Sequence, residues 1–204
     1  MKRSALFPIL ALIAIFTSCN SDNGRAEMQN PENEAIANIM TRTSVRDYTD
    51  TPVTDEQIET ILKAAMSAPT AMNKQPWAFI VIKDRATLTA ISDSIPTMKM
   101  AKKAPLAIVV CGDMTKTLDG EGHDYWIQDV SAATENLLLA THAQGLGAVW
   151  CGVYPASGRV ALISGLLKLP DEIIPLAFVP IGEPAVKNEP KDKWNPAKIH
   201  NDKW

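Results

Sequence analysis

The stretch Pro69-Thr70-Ala71-Met72-Asn73-Lys74-Gln75-Pro76-Trp77 runs directly into Ala78-Phe79-Ile80-Val81-Ile82, and this junction decides the fold. Ala68-Pro69 stops a helical pattern, because the residue before a proline is pushed out of the helical region. The apolar run after Trp77 is short and rich in β-branched residues, which reads as a buried strand. Between helix and strand lie two carboxamides, Asn73 and Gln75, beside a Pro-Trp step. Some thirty residues upstream, Thr41-Arg42-Thr43-Ser44-Val45-Arg46 sets two guanidinium groups around two hydroxyls. Guanidinium and hydroxyl donors suit a phosphate, and carboxamides match the donor–acceptor edge of a flat heteroaromatic ring. Those are the two needs of a flavin mononucleotide (FMN) site. Neither segment carries an obvious nucleophile, metal cage or acid–base pair. No side chain is singled out as catalytic, and the chemistry is expected to belong to a cofactor.

Around this junction the chain alternates helices and strands. Asn33 to Met40 reads as a short helix leading into the Arg42 segment. Thr54-Asp55-Glu56-Gln57 is a capping box, and Ile58, Ile61, Leu62 and Ala65 then keep helical spacing. Downstream, a helix is expected from Ala86 to Ile95, a second buried strand from Leu106 to Cys111, and a loop or lid over residues 115–124. Ile127 to Gln144 is the longest helix candidate, ended by Gly145-Leu146-Gly147. Ala148 to Gly152 reads as a third strand, Gly158 to Leu167 as a helix, and Ile173 to Ile181 as a fourth strand interrupted by Pro175. This order predicts an α/β or α+β sheet with helices packed over it. The Gly145-Leu146-Gly147 step follows a helix and lacks a third glycine, which disfavours a dinucleotide fingerprint.

Residues 1–18 read as a leader. Lys2 and Arg3 precede an apolar run from Ala5 to Phe16, which is in the range of a signal-peptide core and short of the roughly 20 residues needed to span a bilayer. The run ends in Thr17-Ser18-Cys19, which resembles the lipobox of bacterial lipoproteins, although Phe16 stands where Leu is usual. That resemblance implies lipidation of Cys19 and a membrane-anchored protein of the cell envelope; the plain alternative is a cleaved signal peptide with an incidental cysteine. Residues 19–32 are polar and read as a tether, leaving 33–204 as one domain.

Loss of residues 1–18 removes two basic residues and no acid, which moves the formal charge from −3 to −5. A mildly acidic chain gives no support to nucleic-acid binding. Cys111 and Cys151 sit in apolar runs and read as buried thiols; export permits a disulfide between them, but no local feature requires one. No Cys/His spacing suggests a metal. His142 falls in a helical run and reads as structural.

From about Asn33 to Trp204 the chain resembles the nitroreductase family of FMN-dependent NAD(P)H oxidoreductases. Four elements in order carry the resemblance: Arg42, Ser44 and Arg46 in an Arg-x-Ser-x-Arg pattern; Pro69 to Trp77, with Thr70 where Ser is more common; Gly145 to Gly152; and Ile181-Gly182-Glu183-Pro184 followed by a basic tail. The resemblance implies a nitroreductase-like α+β fold, a central mixed sheet of four to five strands flanked by helices, in a homodimer. It implies phosphate and ribityl contacts from Arg42, Thr43 and Ser44, and a flavin-edge contact from Arg46. Pro69, Thr70, Asn73 and Gln75 are implied at the ring's polar edge, with backbone near Cys151 and Gly152 approaching the flavin. Lys193 sits where many members carry an Arg on the phosphate; Lys supplies the charge without the fork, and Lys191 is a possible substitute. Trp126, in the lid region, is the aromatic expected to meet substrate, with core packing as its alternative.

The resemblance further implies a ping-pong cycle in which NADH or NADPH gives hydride to the flavin and a small electron-poor aromatic, a nitroaromatic or quinone, then takes the electrons. The flavin would lie at the subunit interface, with the long 127–144 helix as a candidate interface element. Reduced nicotinamides are cytoplasmic, whereas the leader points to the envelope. Two alternatives therefore stand beside the main reading. One is an envelope protein that carries flavin without turnover. The other is a divergent member of the dehalogenase or flavin-fragmenting type.

Overall fold

The computed structural model describes residues 31–204, with side chains described from residue 34. The leader, Cys19 and nearly all of the tether lie outside the described residues. Five helices are seen among them: α1 (Pro31–Thr41), α2 (Asp55–Met66), α3 (Arg85–Ser94), α4 (Tyr125–Ala143) and α5 (Ser157–Leu167). The strands are β1 (Trp77–Ile82), β2 (Leu106–Asp113), β3 (Gly147–Ala148), β4 (Cys151–Gly152) and β5 (Ile173–Gly182). Helix α1 starts two residues before the expected Asn33 and runs one residue past Met40. The capping box forms as read: Gln57 N donates to the Thr54 hydroxyl at 3.2 Å, and Thr54 N donates to the Gln57 side chain at 3.0 Å.

The strands make one sheet in the order β1-β2-β5-β3, with β4 also on β5. The expected third strand is two short pieces along the same edge of β5. Ala148 pairs with Ile181 and Cys151 with Phe178, and the ladder breaks at Val149-Trp150. The sheet has five strands, and every pairing among them is antiparallel. Its mixed character reduces to a single parallel bridge, Ser44 to Ala148. The continuous apolar runs signal burial on both faces, not strand direction. A register shift at Val110/Cys111 absorbs the irregularity opposite Pro175.

Alternation along β2 sorts its residues to two cores. Ala107, Val109 and Cys111 join Leu88, Ile91, Met98 and Ile163, on the side covered by α3 and α5. Leu106, Ile108 and Val110 join Ile58, Ile61, Val130 and Leu137, on the side covered by α2 and α4. Cys111 and Cys151 are free and buried, in agreement with the reading of core thiols. Burial pushes the Cys111 thiol up to about 12.

Helix α4 turns its buried residues to α2 and the sheet, and Asn136 donates to the Ala64 carbonyl of α2 at 3.1 Å. Much of its apolar surface is thus used inside the chain rather than on a partner. Apart from Tyr125 at the start of α4, the large exposed apolar side chains lie elsewhere, notably Ile36, Ile39 and Met40 on α1 and Trp194, Ile199 and Trp204 in the tail. His142 of α4 meets the Thr41 hydroxyl of α1 at 2.9 Å, the structural role expected of it. No described helix is long and apolar enough to cross a membrane.

Candidate functional site

The Arg42 segment is fixed by the sheet edge beneath it. Val45 N donates to the Ala148 carbonyl at 2.9 Å. Gly147 makes this approach possible: a Cβ there would lie 2.6 Å from the Val45 Cβ, closer than real side chains tolerate. Tyr48 is buried, and its hydroxyl sits 2.7 Å from the Val45 carbonyl and 3.1 Å from the Pro180 carbonyl. Its one proton bridges the two, and burial holds its pKa far above the ordinary value. Beyond Tyr48, Thr49 and Thr51 both donate to the Glu183 carboxylate, at 2.8 and 2.5 Å. Thr49 N also donates to the Glu183 carbonyl and Ala185 N to the Asp47 carbonyl. Residues 44–51 and the start of the tail are therefore stitched into one unit.

That unit shapes a cleft of ≈ 350 Å³ between the Arg42 segment and the tail. Arg42, Thr43, Ser44 and Arg46 line one wall, and Lys191 and Lys193 stand on the other beside Asn188 and Glu189. Four cations face a single carboxylate, an arrangement suited to a dianionic phosphate. Arg42 Nε lies 3.5 Å from Glu135 Oε1, which leaves its terminal nitrogens for a ligand. Here the expected phosphate residues are brought together, Lys193 and its substitute Lys191 included.

Arg46 also lines a second cleft of ≈ 430 Å³, with Lys99, Trp150, Cys151, Gly152 and Arg159. Gly152 is exposed, and nothing lies within 4 Å of where its Cβ would be, so a flat ligand can reach the backbone. Burial dominates the Cys151 thiol and pushes it up to about 11, against the opposing pull of Arg46 and Arg159. Cys151 therefore contributes backbone rather than a reactive thiolate. Lys99 and Arg159 were not singled out in the sequence. Neither sits in a local motif, and only the tertiary fold brings them to Arg46.

The carboxamide segment is built with unusual backbone. Met72, Asn73 and Gln75 have φ of 51°, 55° and 50°, a region L residues adopt at a cost and keep mainly at functional sites. Local bonds hold them: Gln75 N donates to the Thr70 hydroxyl at 3.1 Å, and Gln75 Nε2 to Asn73 Oδ1 at 2.9 Å. Ala71 N donates to the buried Asp129 carboxylate of α4 at 2.9 Å, an anchor the sequence did not reveal. Pro69, Asn73 and Gln75 are exposed, and the Asn73 amide group faces outward with its donors free of described bonds.

Neither cleft is lined by a residue of the carboxamide segment. β1, which follows Gln75, is one edge of the sheet, and Ser44 bridges to β3 at the other. Four strand steps of about 4.8 Å put Trp77 and Ser44 roughly 19 Å apart across the sheet.

Trp126 departs from its expected place. It is 3 % exposed, lies against Gly112, and meets Tyr154 edge to face at 5.0 Å. It is a core aromatic at the start of α4 and presents no surface to a substrate. Its neighbours in sequence, Tyr125 and Ile127, are more exposed. The lid residues 114–122 form two short 3-10 turns.

The family model of the nitroreductase family matches residues 39–96 and 96–183. The chain belongs to the nitroreductase family. The matched span holds the Arg42 segment, the carboxamide segment and the whole sheet, leaving only the tail cations outside it. Among relatives, an Archaeoglobus fulgidus protein provisionally named NADH dehydrogenase/NAD(P)H nitroreductase is 45% identical over 174 residues, which is 84% of this chain and 99% of that one. A Parabacteroides distasonis crystal structure with the same provisional name superposes with a TM-score of 0.80 at 42% identity, covering 84% of this chain and 99% of the other. A Clostridium difficile structure described as an FMN-dependent nitroreductase gives 0.75 at 29% identity, covering 83% and 99%.

The chemistry of the two clefts fits FMN. The smaller offers cations and hydroxyls for a phosphate. The larger offers a side-chain-free backbone at Gly152 and cations at Arg46 and Lys99. The described residues contain no cluster of metal-ligating side chains.

Proposed function

We propose that this nitroreductase-family chain is an FMN-dependent oxidoreductase that takes hydride from NADH or NADPH and passes electrons to a nitroaromatic, quinone or similar flat acceptor. One observation carries the reading: Arg42, Thr43, Ser44 and Arg46 of one short stretch and Lys191 and Lys193 of the distant tail line one cleft. When bound, FMN supplies the hydride and electron chemistry. The chain supplies the rest. Arg42 and Lys193 hold the phosphate, and Ser44 adds a hydroxyl donor. Arg46 joins the phosphate cleft to the ring cleft and places a fixed cation where negative charge builds up at the ring's polar edge. Gly152 lets the ring lie close to backbone. Nothing in this scheme needs an acid–base side chain.

The edge-to-edge separation of Ser44 and Trp77 supports a homodimer in which Asn73 of one chain completes the cleft of its partner. The exposed apolar side chains of α1 and the tail give such a pair surface to bury. We further propose residues 1–18 as a lipoprotein leader, Cys19 as the lipidated residue, and an envelope address, on the strength of the small residues before Cys19 at the end of the apolar run.

The test is anaerobic addition of NADPH and, separately, NADH to the FMN-loaded protein. Bleaching of the flavin absorbance followed by recovery on adding a quinone supports the oxidoreductase. A yellow protein that stays oxidised with both donors supports the flavin carrier instead.

A further inference from the structure

Arg159 has no place in the family resemblance, yet it lines the ring cleft beside the exposed Gly152. It stands in the first turn of α5 and reaches back to β4, where its Nη1 donates to the Gly152 carbonyl at 2.7 Å. It makes no ion pair among the described residues. The bond has two consequences. Gly152 is a glycine at an exposed edge, the position in a strand most free to rotate, and a short charge-assisted bond to its carbonyl fixes the peptide. The same guanidinium lines the cleft with Arg46 and Lys99, and no carboxylate lines that cleft. A delocalised guanidinium charge is thus held against the Gly152 backbone at the cleft.

Resting on the FMN reading, we infer that Arg159 is a positioning residue: it locks the Gly152 peptide in the orientation the ring needs and adds a fixed positive field that favours the electron-rich, reduced cofactor. Geometry and charge separate by substitution. Arg159→Gln keeps a neutral donor for the carbonyl and removes the charge. Arg159→Lys keeps the charge and loses the fork. Arg159→Ala loses both.

The experiment measures FMN affinity by fluorescence titration and the flavin midpoint potential against a reference dye, with thermal melts as a control for folding. The expected results are a more negative potential in Arg159→Gln, substantial recovery of potential in Arg159→Lys, and roughly tenfold weaker FMN binding in Arg159→Ala, the change that about 1.4 kcal/mol produces. Wild-type affinity and potential in both Arg159→Gln and Arg159→Lys, even with lower melting temperatures, would overturn the inference and leave Arg159 a mere tie between α5 and β4. Failure of the wild-type protein to bind FMN is a separate outcome, which removes the functional reading itself along with this one.

Discussion

Gly147 lies so close to Val45 that a single methyl on it would sit 2.6 Å from the Val45 Cβ. This contact seats the Arg42 segment on the sheet, and it lets Val45 N reach the Ala148 carbonyl. Gly147→Ala must push the segment away or distort β3. The expected cost is about 1–3 kcal/mol, the range for overpacking a filled site. Loss of FMN affinity should accompany it. Denaturant melts and an FMN titration check both, and a variant with wild-type stability and affinity would show that the segment seats itself by other means.

Arg42→Ala removes one of the four cations of the smaller cleft, the one that pairs with Glu135. Hydrogen bonds to charged groups contribute about 1.5–3 kcal/mol, so FMN binding should weaken by about ten- to a hundredfold. Lys193→Arg, which adds a fork at the opposite wall, should tighten it. Titration of apoprotein with FMN, followed by fluorescence, reads both. Unchanged affinity in Arg42→Ala would remove it from the phosphate site.

The Glu183 carboxylate is held below its ordinary value of 4.5 by the Thr51 and Thr49 hydroxyls. A depressed carboxylate pKa contributes stability that is fully present above 4.5 and is lost as pH falls through the lower, folded-state value. Melting temperature should therefore drop across that acid window in the wild type and change less there in Glu183→Gln. The variant should also be the less stable of the two at neutral pH. Parallel acid limbs in melts from pH 6 to pH 3 would show that this carboxylate does not stitch the tail to residues 49–51.

Trp126, as a core aromatic against Tyr154 and Gly112, should act on stability and not on substrate. Trp126→Phe is expected to lower the melting temperature by several degrees, the shift that about 1 kcal/mol produces in a domain of this size, while leaving the KM for a quinone acceptor unchanged. A raised KM with an unchanged melting temperature would return Trp126 to the substrate surface.

What was legible in the sequence was local. Thr54 and Gln57 are three residues apart and cap one helix, so their roles show in any window that holds both. Arg42, Ser44 and Arg46 lie on one short stretch, and Lys193 was placed by the family resemblance. The features that escaped depend on packing across the chain. Lys99 and Arg159 carry no motif and become neighbours of Arg46 only when α5 and the turn before β2 close over one sheet edge. Asp129 looks like any helical acid until Ala71 N is seen to donate to it. Trp126 follows the polar lid residues in sequence, yet its ring turns inward. Strand direction was equally hidden, since β2 and β5 are apolar on both faces whichever way they run.

The central claim is a divided site, with phosphate clamp and ring edge contributed by different chains. A crystal structure of the FMN-loaded protein tests it most directly. The account predicts the phosphate within hydrogen-bond distance of Arg42 and Ser44, the ring beside Gly152, and Asn73 of a second copy at the ring's polar edge. FMN seated away from the Arg42 cleft, or held there without any residue of a second copy, would contradict it.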